Sequence, residues 1–257
     1  MIEAPYSGME HQTAVTYGNH FANGYLERDW TGVGISPRFD FIIIHESAHE
    51  WFGNAVTAAD VSDMWIHEGW GTYMEGLYVE HMWGYDDALK YVNGYKPKVR
   101  NRESIITPKG INRTPSQDQY FKGALFLNTL RNVIDNDPQW FALIKECFQT
   151  FKYKTIATED MVALFNKRSG RDLTPIFDEY LRQAPLPTLD LQFLEDGRVA
   201  YRWTAGVAGF NMPIKVGVKG RWQTITPSTD WKMMTTTLNK DEFEVATDLY
   251  YVNVSKQ

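Results

Sequence analysis

Cysteine is nearly absent: Cys147 is the single one in 257 residues. That excludes an intrachain disulfide framework and any zinc site built on thiolates. Its neighbours Ile144 and Phe148 predict a buried core thiol rather than a nucleophile. Positive charge is also short, with 26 Lys and Arg against 32 Asp and Glu for a net charge of −6. Nucleic acid and anionic membrane surfaces need a cationic face, so neither is expected as a partner. The longest clean apolar run, Phe41 to Ile44, falls far short of a membrane span. The chain opens with neither a basic n-region nor an apolar h-region, so no signal peptide is expected within it. What is plentiful is apolar and aromatic matter, 43% and 14% of residues with nine Trp, which is enough to build a core and excludes disorder. At roughly 150 residues per domain, this length suits one large domain or one domain with a smaller companion.

The pattern divides the chain in two. Residues 2 to 20 read as extended, with Thr13 to Tyr17 suited to a strand. Ser36-Pro37 is a helix start and Gly53-Asn54 a stop, predicting a helix of about 16 residues. Asp63 is placed to cap a second helix that ends at Gly84. Further helices are expected at about 86–100, 118–135, 138–151, 159–168 and 174–183. Two prolines in Ala184-Pro185-Leu186-Pro187 then read as a linker. From Thr188 the period changes to two, in Leu189 to Phe193, Val199 to Trp203, Ile214 to Val218 and Tyr250 to Val254. Such alternation predicts a small antiparallel sandwich. The basic stretch from Lys96 to Arg102 is expected to be a solvated face, its rival reading being a docking site for a peptide carboxylate.

Chemistry concentrates in His45-Glu46-Ser47-Ala48-His49. Residues four apart on a helix lie one above the other, so both imidazoles can share one metal ion. Glu46 is then placed to reach a water on that metal. Phe39, Phe41, Ile42, Ile43, Ile44, Trp51 and Phe52 surround the motif, which predicts a helix buried on most sides. Two histidines and a glutamate buried there cost several kcal/mol unless paired or metal-bound. A catalytic zinc usually takes three protein ligands. Glu68, with eighteen residues between it and His49, is the candidate third ligand. Thr72 and Glu75 follow on its face, placed to hydrogen-bond the ligating side chains. His67 and His81 are rival ligands better suited to packed or surface positions. His11 and His20 sit in the extended region.

This arrangement, with Trp51-Phe52-Gly53-Asn54 after the histidine pair, resembles peptidase family M1, the zinc aminopeptidases of gluzincin type with a thermolysin-like catalytic domain. Two more stretches agree. Tyr120-Phe121-Lys122-Gly123-Ala124 resembles the family's tyrosine motif, whose phenol stabilises the tetrahedral intermediate. Ser7-Gly8-Met9-Glu10-His11 resembles its Gly-x-Met-Glu-Asn motif, in which the glutamate binds the substrate's free amine. His11 and Ser7 depart from that pattern. A Gly-Leu-Glu-His version marks the related glycyl aminopeptidases of family M61. Family members also carry an N-terminal β-domain and opening strands ahead of this motif, so the resemblance implies a piece of a longer chain with weakened substrate binding.

The resemblance implies an α+β fold: a mostly helical, thermolysin-like metallopeptidase domain over 1–184, followed by a small antiparallel β-sandwich over 188–257. It implies one Zn²⁺ held by His45, His49 and Glu68, with Glu46 as general base and then acid and Tyr120 as donor to the oxyanion. Gly8, Met9 and Glu10 would bind a peptide substrate, lying along the strand after Glu10 and cut at its first bond. His11 is placed either to hydrogen-bond Glu10 or, if protonated, to repel the amine. Alternatives are a thermolysin-like endopeptidase, an M61-like glycyl aminopeptidase, an added epoxide hydrolase activity, and a non-catalytic scaffold. The sequence does not specify oligomeric state or side-chain preference. It suits the cytoplasm, or the periplasm or exterior, according to what precedes residue 1.

Overall fold

The computed structural model describes residues 1–257 throughout. Strands β1 (Ile2–Glu3), β2 (Gly8–Met9) and β3 (Thr16–Tyr17) form a sheet in the order β1-β3-β2. β1 runs parallel to β3 and β2 antiparallel to it, so β2 keeps one edge unpaired. The strand expected from Thr13 starts later, because Thr13 turns the chain at φ 62°.

The first helix is shorter than its sequence signals suggest. Ser36–Arg38 make one 3-10 turn, Phe39 is extended, and α1 covers only the eight residues Phe41–Ala48. Ser36 does not cap it, since its hydroxyl donates to Asp29 Oδ1 and accepts from the Trp30 amide, both at 2.7 Å. Asp40 caps instead, accepting from the Ile43 amide at 3.2 Å. His49 closes the helix with φ −65° and ψ −16°, so it keeps helical register with His45.

Next come β4 (Val56–Ala58) and a 3-10 turn at Val61–Asp63, then α2 (Trp65–Trp83), which ends at Gly84 as expected. Asp63 does not cap α2. Its Oδ1 accepts from the Thr158 hydroxyl at 2.6 Å, anchoring the start of α2 to a distant part of the chain. α3 (Tyr85–Asn93) also stops early, and a 3-10 turn at Lys96–Lys98 replaces the rest. α4 (Asp118–Ile134), α5 (Asp137–Phe151), α6 (Thr158–Ser169) and α7 (Thr174–Arg182) lie close to their expected bounds. β5 (Lys154–Ile156) pairs in parallel with β4 and had no expectation attached.

The centre of the molecule is α2, which packs against α1, α3 and α4. Trp65, Ile66, Trp70, Tyr73 and Val79 bury different faces of it. α2 and α4 come close together at Gly69 and Gly123, where a Cβ on Gly123 would stand 2.9 Å from the Gly69 Cα. Only paired glycines allow that spacing. Glu68 precedes one of them and Tyr120 lies a turn before the other, so the contact brings both side chains to one site.

After the linker, β6 (Thr188–Phe193), β7 (Arg198–Thr204), β8 (Ile214–Val218), β9 (Arg221–Ile225), β10 (Lys232–Thr235), β11 (Glu244–Val245) and β12 (Asn253–Lys256) form two sheets, ordered β10-β7-β6-β12 and β11-β8-β9. The expectation of purely antiparallel pairing fails at one ladder, because β12 runs parallel to β6. One continuous cluster of buried apolar residues, from Tyr17 to Tyr251, joins the two parts of the chain. Hydrogen bonds seal the junction: the Tyr180 hydroxyl donates to the Tyr251 carbonyl at 2.8 Å, and Lys122 donates to the Gln183 and Ala184 carbonyls at 2.9 Å. The basic stretch is not uniformly solvated. Lys96 donates to the Thr247 carbonyl at 2.6 Å, and the Lys98 ammonium lies 3.8 Å above the Trp30 ring. Cys147 is fully buried, with its thiol pKa pushed up to about 12 by burial.

Candidate active site

One turn of α1 places His45 above His49, and their Nε2 atoms stand 3.2 Å apart. Glu68 arrives from α2 with Oε2 at 3.6 Å from His45 Nε2 and 3.4 Å from His49 Nε2. Both imidazoles are pinned from behind. His45 Nδ1 lies 2.8 Å from Glu75 Oε1, and His49 Nδ1 lies 2.9 Å from the Phe52 carbonyl oxygen. Each of those oxygens can only accept, so each Nδ1 must carry the proton. The two Nε2 atoms then turn lone pairs toward each other and toward Glu68 Oε2, which is buried with no hydrogen-bond partner. Three converging electron pairs in a buried site repel unless a cation sits among them. The donor set therefore fits a divalent ion of zinc type, and the three side chains form one of two groups compact enough to hold one.

Electrostatics agree. Burial alone would lower the pKa of His45, yet the Glu68 and Glu75 carboxylates reverse this and hold it well above the ordinary value. Burial would raise Glu68, but the two imidazoles draw it well below the usual carboxylate range. A site that favours added positive charge favours a metal cation for the same reason. Glu75 is itself fixed, since the Tyr91 hydroxyl donates to its Oε2 at 2.7 Å and the Tyr95 hydroxyl donates to the same atom. Of the two residues expected to brace the ligands, Glu75 makes the bond. Thr72 lines the cleft beside it.

Glu46 follows His45 on α1 and is buried, with Oε2 unpartnered. Burial raises its pKa to about 7, against the opposing pull of His45 and His49. Gly8 packs directly on it: a Cβ there would come within 2.5 Å of Glu46 Oε1 and 2.7 Å of Ile42 Cγ2. Gly8 thus shapes the wall of the site through its missing side chain, while Met9 is exposed. Glu10 is buried, and its carboxylate groups with Glu46 and His49 within 4.8 Å. Tyr120 is half-buried with its ring centroid 6.1 Å from that of His45. Burial and nearby Glu68 raise its pKa, so the phenol stays protonated and able to donate.

His45, Glu46, Gly8 and Tyr120 line one cleft of about 370 Å³, walled on its far side by Tyr25, Trp30 and Phe121. The structure also revises several expectations. The free edge near Glu10 belongs to β2, before it, and not to a strand after it. His11 is exposed, and the imidazole facing Glu10 is that of His67, with Nδ1 at 3.7 Å from Oε1. His20 and His81 are exposed. Tyr91 and Tyr95 lie outside the sequence reading, although their i,i+4 spacing within the stretch expected to be helical is a readable signal; Tyr95 itself falls just past the end of α3. The Phe52 carbonyl carries no such signal, being backbone.

Comparison with known proteins supplies the family. The model of the "Peptidase family M1 domain" matches residues 2–180. "Aminopeptidase N" of Lactococcus lactis subsp. lactis is 24% identical over 79% of this chain and 25% of its own length. "Probable aminopeptidase 2" of Sulfurisphaera tokodaii is 22% identical over 98% of this chain and 33% of its own length. Among solved structures, aminopeptidase A of Legionella pneumophila in complex with aspartic acid superposes with a TM-score of 0.74 at 16% identity, covering 98% of this chain and 31% of that one. The chain thus spans a quarter to a third of the length of these relatives. No helix is long and apolar enough to cross a membrane.

Proposed function

The chain belongs to peptidase family M1, and on that premise we propose that it carries the catalytic portion of a zinc-dependent aminopeptidase. In this reading residues 1–184 form a thermolysin-like catalytic domain and 188–257 a small β-sandwich, a division supported by the change of secondary structure at the Pro185-Leu186-Pro187 linker. His45, His49 and Glu68 hold the ion. Zn²⁺ bound there supplies Lewis acidity, polarising a carbonyl and acidifying a water toward a pKa of about 7.

The remaining work falls to side chains. Glu46 accepts the proton of the attacking water on a carboxylate oxygen and passes it to the departing amine. Tyr120 donates its phenolic hydrogen to the oxygen that gains negative charge. Replacing Tyr120 with Phe removes that donor alone, so kcat is expected to fall by about 10²–10³ with zinc content unchanged. An unchanged kcat in Tyr120→Phe would take the residue out of the mechanism.

The observation that carries the aminopeptidase reading is the placement of Glu10, a buried carboxylate beside Glu46 and His49. A zinc site alone cuts wherever a chain can lie across it. A carboxylate about 4 Å from a terminal ammonium attracts it by roughly 4 kcal/mol at an effective dielectric near 20, before desolvation is subtracted. Even a third of that favours a free amine over an acetylated one by about tenfold. The peptide would lie along the open edge of β2. The test compares matched free and N-acetylated peptides with wild type and Glu10→Ala. The preference for the free amine should collapse in the variant while zinc stays bound. Equal cleavage of acetylated peptides by wild type would instead favour a thermolysin-like endopeptidase, and absence of bound zinc a scaffold.

A further inference from the structure

His67 and Glu68 are neighbours in α2, yet they serve different sides of the site. Successive residues on a helix diverge by about 100°. Glu68 faces the histidine pair of α1, and His67 faces β4 and residue 10. The Ala58 amide of β4 donates to His67 Nε2 at 2.9 Å. An atom that accepts a hydrogen bond cannot also carry the proton, so the neutral ring must be protonated at Nδ1. That Nδ1 is buried, has no hydrogen-bond partner, and stands 3.7 Å from Glu10 Oε1. Glu10 in turn accepts no hydrogen bond from any other side chain. A donor with fixed tautomer and a carboxylate with no other side-chain donor thus face each other across 3.7 Å. Donors at catalytic sites often sit long in the absence of substrate and tighten with it.

We propose that His67 is the positioning residue of the amine site: the Ala58 amide fixes its tautomer, and its Nδ1–H holds Glu10 Oε1 so that Oε2 is left for the substrate's ammonium group. This rests on the reading of Glu10 as the amine-binding carboxylate. It also explains why a histidine beside a metal ligand is not itself a ligand, since Nε2 is committed to the backbone and Nδ1 to Glu10. One helical step then couples the two halves of the reaction. Glu68 fixes where the carbonyl is attacked, and His67 fixes how far from that point the chain must end.

Two measurements test it. First, ¹⁵N-histidine NMR, with the His67 signals assigned by their loss in His67→Asn, should show the Nδ1–H tautomer. An Nε2–H tautomer would overturn the proposal whatever the activity. Second, the ratio of kcat/KM for free over N-acetylated aminoacyl amides should fall about tenfold in His67→Leu, through KM rather than kcat, the scale of one hydrogen bond to a charged group. His67→Asn offers an amide N–H where Nδ1 stood, and it should recover most of the ratio. In a Glu10→Ala background, His67→Leu should change the ratio no further. A ratio that Glu10→Ala loses and His67→Leu keeps overturns the role of His67 alone, whereas a ratio kept by Glu10→Ala overturns the amine site itself.

Discussion

Glu46→Gln is expected to retain zinc and lose turnover by about 10²–10⁴, toward the upper end because one carboxylate serves two proton transfers. Gln has nearly the same shape, so the packing of Gly8 against this side chain survives the change. What disappears is the capacity to take a proton from water and return it to the leaving amine. A carboxylate with its pKa pushed to about 7 by burial suits that task, because acceptance and donation are then nearly balanced near neutral pH. The exchange also fits where Glu46 sits, lining the cleft in which a scissile bond would lie. KM should move little, since Glu46 interacts with the reacting water and not with the bound peptide. The measurement is steady-state kinetics with elemental analysis on the same samples. A Gln variant within tenfold of wild-type kcat would show that some other group moves the proton.

The chemistry was legible in the sequence where it is local, and obscure where it depends on contacts between distant segments. His45 and His49 announce themselves because four residues on a helix is a fixed geometry. Glu75 could be foreseen for the same reason, seven residues after Glu68 on the same face. Ser36 misled because its hydroxyl is claimed by Asp29 and the Trp30 amide, a loop contact that no capping rule anticipates. Asp63 misled in the same way, its carboxylate being taken by Thr158 almost a hundred residues on. His67 read as a packed or surface residue because helical geometry says only that it diverges from Glu68. What it meets depends on β4 and on Glu10, both placed by tertiary folding. The strand-rich end was read by its alternation, which reveals strands but not partners. The parallel pairing of β12 with β6 is a choice of neighbour, and periodicity does not encode it.

Zinc is expected at one ion per chain, and the structure offers two ways to hold it. Besides His45, His49 and Glu68, the atoms of Glu10, Glu46 and His49 are also close enough to share an ion. Lone-pair direction separates the two. In the first group both imidazoles have Nδ1 committed, to Glu75 and to the Phe52 carbonyl, so both Nε2 atoms face Glu68 Oε2. In the second, Glu46 would lose its freedom to act as a base, and Glu10 would be drawn away from His67. His49 belongs to both groups and cannot discriminate between them. His45→Ala and Glu10→Ala can. His45→Ala should abolish stoichiometric zinc, and Glu10→Ala should keep it. Because the ion binds the folded chain, it also adds stability, about 4 kcal/mol when free zinc exceeds its dissociation constant a thousandfold. For a chain of this size that corresponds to a rise in Tm of roughly 8–16 °C. Chelation of wild type should therefore lower Tm by that order, and restored zinc should recover it. His45→Ala should melt at the chelated temperature with or without added zinc. If His45→Ala binds a full equivalent and Glu10→Ala binds none, the ion belongs to the second group, and neither Glu46 nor Glu10 can have the role argued for it.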